Sequence, residues 1–167
     1  MMETRVAQRY ILSSHTYYHG TSYKDALEIQ KRGFSLQKMR GHGAFLGPGV
    51  YLSGSYPSAL DYARDYANGD WTGTPEDAGV LHLSINPKKP LSANPQEWPP
   101  DFITLYETYT GEPAKDVAKG RNFRELGRLA RKHGYDAIVY HQGTSVVFDP
   151  SRIKVTQVDY LPKDVNP

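Results

Sequence analysis

Tyr18-His19-Gly20-Thr21 stands near the start of the chain, Gly49-Val50-Tyr51-Leu52-Ser53 near residue 50, and Val146-Val147-Phe148-Asp149-Pro150 near the end. These residue types hold ligands rather than attack them. Tyrosine faces stack on flat rings, imidazole and hydroxyl groups hydrogen-bond to sugars, and a glycine inside a strand marks a close approach to the backbone. Other chemistries find little support. With no cysteine there is no disulfide and no thiolate metal site, and the six histidines show neither His-x-x-x-His nor His-Glu-x-x-His spacing. Gly41, Gly43, Gly47 and Gly49 lie too far apart for a dinucleotide or phosphate loop, and no serine has a Gly-x-Ser-x-Gly setting.

The elements that must position these groups are legible in part. Residues 16–21 read as a strand, and Ser22 can cap a following helix with Asp25 in its first turn and Gly33 past its end. Residues 40–49 hold four glycines and a proline and read as a loop leading into a strand at 50–53. Pro57 then opens a helix with Ala59, Tyr62, Ala63 and Tyr66 at helical spacing, ended by Asn68-Gly69. A strand over 79–85 precedes an excursion at about 86–121 whose six prolines predict irregular structure. Asn122 with Glu125 predicts a capping box for a helix that ends at Gly134. Three strands follow over 135–140, 144–149 and 153–160, the first two joined by His141-Gln142-Gly143.

This order predicts an α+β fold. A length of 167 residues with 38% hydrophobic content suits one domain, 16–167, behind a lead-in of residues 1–15. No run approaches the ~20 apolar residues of a membrane span and no secretion signal is visible, so the reading is a soluble, cytoplasmic monomer, or one delivered into a host cytoplasm. Net charge is only +2, with a pI near 8.7. Basic residues gather over 115–132, among them Arg124, Arg128, Arg131 and Lys132. That gathering reads as a solvated helix face or as a surface for an anionic partner.

His19-Gly20-Thr21 in a first strand, Gly49-Val50-Tyr51 in a second, and Tyr62 eleven positions after Tyr51 together resemble the poly(ADP-ribose) polymerase-like and diphtheria-toxin-like ADP-ribosyltransferases, whose motif letters are His, Tyr and Glu. The resemblance spans roughly residues 16–160. It implies two small packed β-sheets enclosing an NAD cleft with flanking helices, NAD as substrate and no metal. His19 would hydrogen-bond the adenosine ribose, Gly20 would grip the nicotinamide carboxamide through its backbone with Thr21 beside it, and Tyr51 and Tyr62 would sandwich the nicotinamide ring. The serine of the family that bonds the carboxamide falls on Ala59 without a gap and on Ser58 with a one-residue shift; Ser58 is assigned that role. The imidazole of His19 and the ring of Tyr51 should then face each other across the crevice.

The chain departs from the family in its final motif. Aligning Val146-Val147-Phe148-Asp149 puts Thr144 where the family carries its catalytic glutamate, and Gln142 two positions earlier, where acceptor recognition sits. Cleavage of the nicotinamide–ribose bond passes through a sugar cation, and losing one preorganised contact to it costs on the order of 10²–10³ in rate. Some family members that transfer a single ADP-ribose lack this glutamate. The implied activity is mono-ADP-ribosyl transfer to a macromolecular acceptor, protein or nucleic acid. A catalytically weak NAD or ADP-ribose binding module, an NAD glycohydrolase and an interaction protein using the basic face stay open.

Overall fold

The computed structural model describes residues 15–37, 45–140 and 142–164. Most of the lead-in, Arg40 to Ala44 of the glycine-rich loop, and His141 lie outside them. Strand β1 (Tyr17–Ser22) runs directly into helix α1 (Tyr23–Arg32), whose first turn is capped by Ser22 Oγ accepting from the Asp25 amide at 3.1 Å. Strand β2 (Val50–Ser53) leads to helix α2 (Tyr56–Asn68), with proline in its first turn and Gly69 closing it at φ 81°. Strand β3 (Ala78–Ile85) follows.

The excursion is not irregular. It holds strand β4 (Pro90–Ser92), helix α3 (Pro100–Thr110) and short 3-10 turns at Pro95–Glu97 and Ala114–Lys119. Prolines hid the helix, yet Pro100 sits in its first turn, where proline costs no intrahelical bond. Phe102 and Tyr106, one turn apart, bury its inner face. Thr104, Thr108 and Thr110 return their hydroxyls to carbonyls four residues back, which satisfies these polar groups within the helix.

Helix α4 (Phe123–Lys132) forms as expected, but without the capping box: Asn122 donates to Glu112 Oε2 at 2.9 Å and Glu125 pairs with Arg128. Strands β5 (Ala137–Val139), β6 (Thr144–Val147) and β7 (Ile153–Leu161) complete the chain.

All seven strands join one mixed sheet, in the order β4-β5-β6-β2-β1-β3-β7, with β4 and β5 the parallel pair. This corrects the expectation of two small sheets, while the α+β class stands. The joint is uneven, however. β1 meets β2 at one residue pair, Tyr18 with Ser53, whereas β1 meets β3 at six and β2 meets β6 at four. Two lobes therefore share a seam.

Successive residues of a strand point to opposite faces of the sheet. On one face Tyr17, Val50, Leu52, Leu81, Leu83, Ala137, Val139 and Val147 pack with Ala26 of α1 and with Phe34. On the other, α2 lays Ala59, Ala63 and Ala67 on Ala78 and Val80, and α3 and α4 cover Ile138 and Val146. Helix α2 lies so close to β1 that a Cβ on Gly20 would fall on the Ala59 carbonyl oxygen and 2.8 Å from the Ala63 nitrogen. Gly20 is therefore needed for helix packing. Gly20→Ala is expected to destabilise the fold by about 1–3 kcal/mol through overpacking, lowering the urea midpoint without changing the slope. A midpoint equal to that of the wild type refutes this packing account.

Candidate functional site

The seam gathers most of the motif residues. Tyr18, Ser53 and Thr144 form one row across β1, β2 and β6, and two residues along, Gly20, Tyr51 and Val146 form the next. Both rows lie on the α2 face, as the contact of Gly20 with Ala59 fixes. His19, one residue from Gly20, points to the opposite face, where its ring meets Phe34 edge-on at 5.4 Å.

The expected crevice between the His19 and Tyr51 rings is therefore not formed; alternation along two paired strands separates the side chains. They are linked in another way: His19 Nδ1 lies 2.9 Å from the Tyr51 carbonyl oxygen and crosses the seam where the ladder has lapsed. A carbonyl only accepts, so Nδ1 carries the proton. Burial pushes the imidazole below its ordinary value, outweighing the upward pull of that hydrogen bond, so the ring is neutral at pH 7. Its Nε2 is left as a lone-pair acceptor.

Tyr51 is held by its own hydroxyl, which accepts from the Leu46 amide at 3.0 Å and donates to the Gly47 carbonyl at 2.6 Å. Burial raises its pKa, so the phenol stays protonated. Arg131 of α4 grips the same turn from outside, donating to the Leu46 carbonyl at 3.1 Å, and Gly127 lets that carbonyl lie against the helix. Phe45 rests on the Tyr51 ring at 5.4 Å. The turn that leads into β2 is thus clamped at three points, one of them a residue counted among the basic face.

Tyr62 does not close on Tyr51. It stacks on Trp71, with centroids 6.4 Å apart and planes 18° from parallel. Its position on α2 nevertheless turns it to the seam side: Tyr56 bonds Asp159 of β7 at 3.0 Å on the far flank, and Tyr62 lies about 120° round the helix from it. Ser58 is exposed, and the residue set against Gly20 is Ala59, about 100° away. The shift that favoured Ser58 thus turns the hydroxyl away from the sheet. Thr21 is buried.

Thr144 is exposed at the head of β6, level with Ser53. The Gly143 carbonyl accepts from the Gly54 amide at 3.0 Å, and buried Ser145 Oγ bonds both the amide and the carbonyl of Tyr140, so the tip carrying Gln142 and Thr144 is pinned to the end of β2. Ser53, last letter of the second motif, donates its hydroxyl to the Ser55 carbonyl and shapes the start of α2. No carboxylate stands in either row. Glu107 accepts from the Ala114 amide and Glu112 from Tyr106 and Asn122, which ties both to the α3–α4 connection. A hollow of about 180 Å³ is lined by Lys89, Asp101, Phe102, Leu105, His133 and Tyr135, none of them from the seam. The described residues contain no cluster of three or more potential metal ligands and no helix long and apolar enough to cross a membrane.

No protein-family model matches the chain, and no curated protein matches it. Among solved structures, a chain of the M. tuberculosis MbcT–MbcA toxin–antitoxin complex is similar over 89% of this chain and 85% of its own, at 14% identity and a TM-score of 0.47. An anti-CRISPR protein is similar over 87% of this chain and 98% of its own, at 16% identity and a TM-score of 0.42. Neither likeness is close enough to assign a family.

The neutral His19 has a measurable consequence. A group whose pKa is lower in the folded state than its ordinary 6.5 is protonated first in the unfolded chain, so its contribution is complete above that pH and is lost as pH falls below it. His19→Gln should flatten the decline in stability just below pH 6.5, read as the difference between urea midpoints of the two proteins at each pH. Parallel curves would show that the imidazole is not desolvated.

Proposed function

We propose that the protein binds NAD at the β1–β2 seam and transfers a single ADP-ribose to a macromolecular acceptor. The observation that carries this reading is the lapsed ladder itself: one residue pair joins the lobes, with Tyr51 and Gly20 level on one face and the His19 imidazole bridging from the other. Strand edges that are not bonded to each other can bond a ligand, and a carboxamide, with one acceptor and two donors, matches a strand edge. Tyr51 would supply the stacking face, with Tyr62, backed by Trp71, as the second ring. Nε2 of His19 would accept from a ribose hydroxyl.

In the reaction the C1′–N bond breaks with its electron pair passing to the pyridinium nitrogen, so nicotinamide leaves neutral. The acceptor nucleophile bonds to C1′ and gives up its proton to solvent. Thr144 and Gln142, held beside Ser53 and Gly54, would orient the sugar and the acceptor. A hydroxyl orients a sugar but lends the developing cation far less than a carboxylate does.

The absence of any carboxylate from the two rows supports a second reading, a catalytically weak NAD-binding module. Incubation with labelled NAD, with and without lysate, separates them. Nicotinamide release with label on protein or nucleic acid marks a transferase, release alone a glycohydrolase, and binding without release a module. Tyr51→Ala should abolish binding of NAD by calorimetry, and Thr144→Glu should raise turnover by about 10²-fold if that position faces the sugar. Unchanged turnover in Thr144→Glu would remove Thr144 from the site.

A further inference from the structure

The outer flank of α2 presents two large aromatic rings to solvent. Tyr62 is 57% exposed and Trp71 47%. The turn that carries Trp71 is well made. Asp70 donates to the Asp65 carbonyl at 2.8 Å, Gly73 to the Gly69 carbonyl at 2.7 Å, and Thr72 Oγ1 to the Thr74 carbonyl at 2.7 Å, which folds the chain back so that the indole stacks on Tyr62. Contiguous exposed apolar surface marks interaction sites more often than singly scattered side chains do, and here two rings are contiguous.

Charge decides what such a surface takes. Residues 61–77 carry five carboxylates and one cation, Arg64. Arg64 pairs with Asp61 at 3.7 Å, and among the described residues no ion pair engages Asp65 or Asp70. The faces of aromatic rings are electron-rich and attract cations, and unpaired carboxylates beside them add to that attraction while repelling phosphates. We infer that the Tyr62–Trp71 stack docks an arginine or lysine side chain of a basic protein segment. Because α2 turns this flank to the seam side, a segment held there lies beside the proposed reaction centre. Calling it the acceptor rests on the proposed transfer reaction; the docking does not.

The test uses the full chain and an Arg-Gly repeat peptide. The chain has two tryptophans, and Trp98 is buried with its indole bonded to Ser92, so a change in emission reports on Trp71. The peptide should change that emission saturably and lose affinity as salt rises. Trp71→Ala should weaken the labelled peptide about two- to fivefold by anisotropy, and Asp65→Asn with Asp70→Asn should reduce the salt dependence. Oligothymidylate should not bind this flank. Peptide affinity equal to wild type in both variants, or oligothymidylate binding that Trp71→Ala removes, overturns the inference. NAD titrations of the wild type run alongside: no NAD binding defeats the transferase reading, while the peptide result still decides the docking surface.

Discussion

The seam between β1 and β2 is the constraint on which the arrangement depends. A sheet gains stability from continuous ladders, and this one gives up all but one pair at its centre, between strands otherwise fully paired on their outer sides. Each lobe is stabilised separately instead. Helix α2 is seated on β1 through the missing side chain of Gly20, and α4 is seated on the turn before β2 through Gly127 and Arg131. The His19–Tyr51 bond then holds the lobes in register with a side chain in place of backbone.

That substitution matters for chemistry. A side-chain bond is local and leaves the neighbouring strand edges at the seam outside a regular ladder, where a ligand amide competes with no continuous network. It also fixes the tautomer of His19, with the proton on Nδ1 and Nε2 as the acceptor, while burial keeps the ring neutral. In the proposed reaction Thr144 would bring a hydroxyl where the family this chain resembles brings a carboxylate, and Glu107 and Glu112 are tied into the α3–α4 connection.

Charge is divided across the molecule. Part of the basic sequence over 115–132 is used internally: Lys119 pairs with Asp116 at 3.1 Å, Arg128 pairs with Glu125, and Arg131 clamps Leu46. Among the described residues Asp65 of α2 and Asp70 just past its end enter no ion pair and lie beside exposed aromatic rings. A count of cations along the chain does not see which side chains are already paired, and it leaves the segment open as a solvated face or a surface for an anionic partner.

Local signals were legible in the chain itself. The Ser22 cap, the Pro57 start and Gly69 stop of α2, the glycine at position 20 and the strands at both ends depend on neighbours within a few residues, where propensity and capping act, and they stand as read. Helix α3 is not legible in the chain because its prolines lie at its boundaries, where they are harmless, and a proline count cannot see position. What only the tertiary structure decided depends on pairing between distant segments: that seven strands make one sheet, that His19 and Tyr51 face opposite ways, that Ala59 and not Ser58 meets Gly20, and that Tyr62 finds Trp71. A residue's face is set by strand register and helix phase, and a shift of one position reverses it.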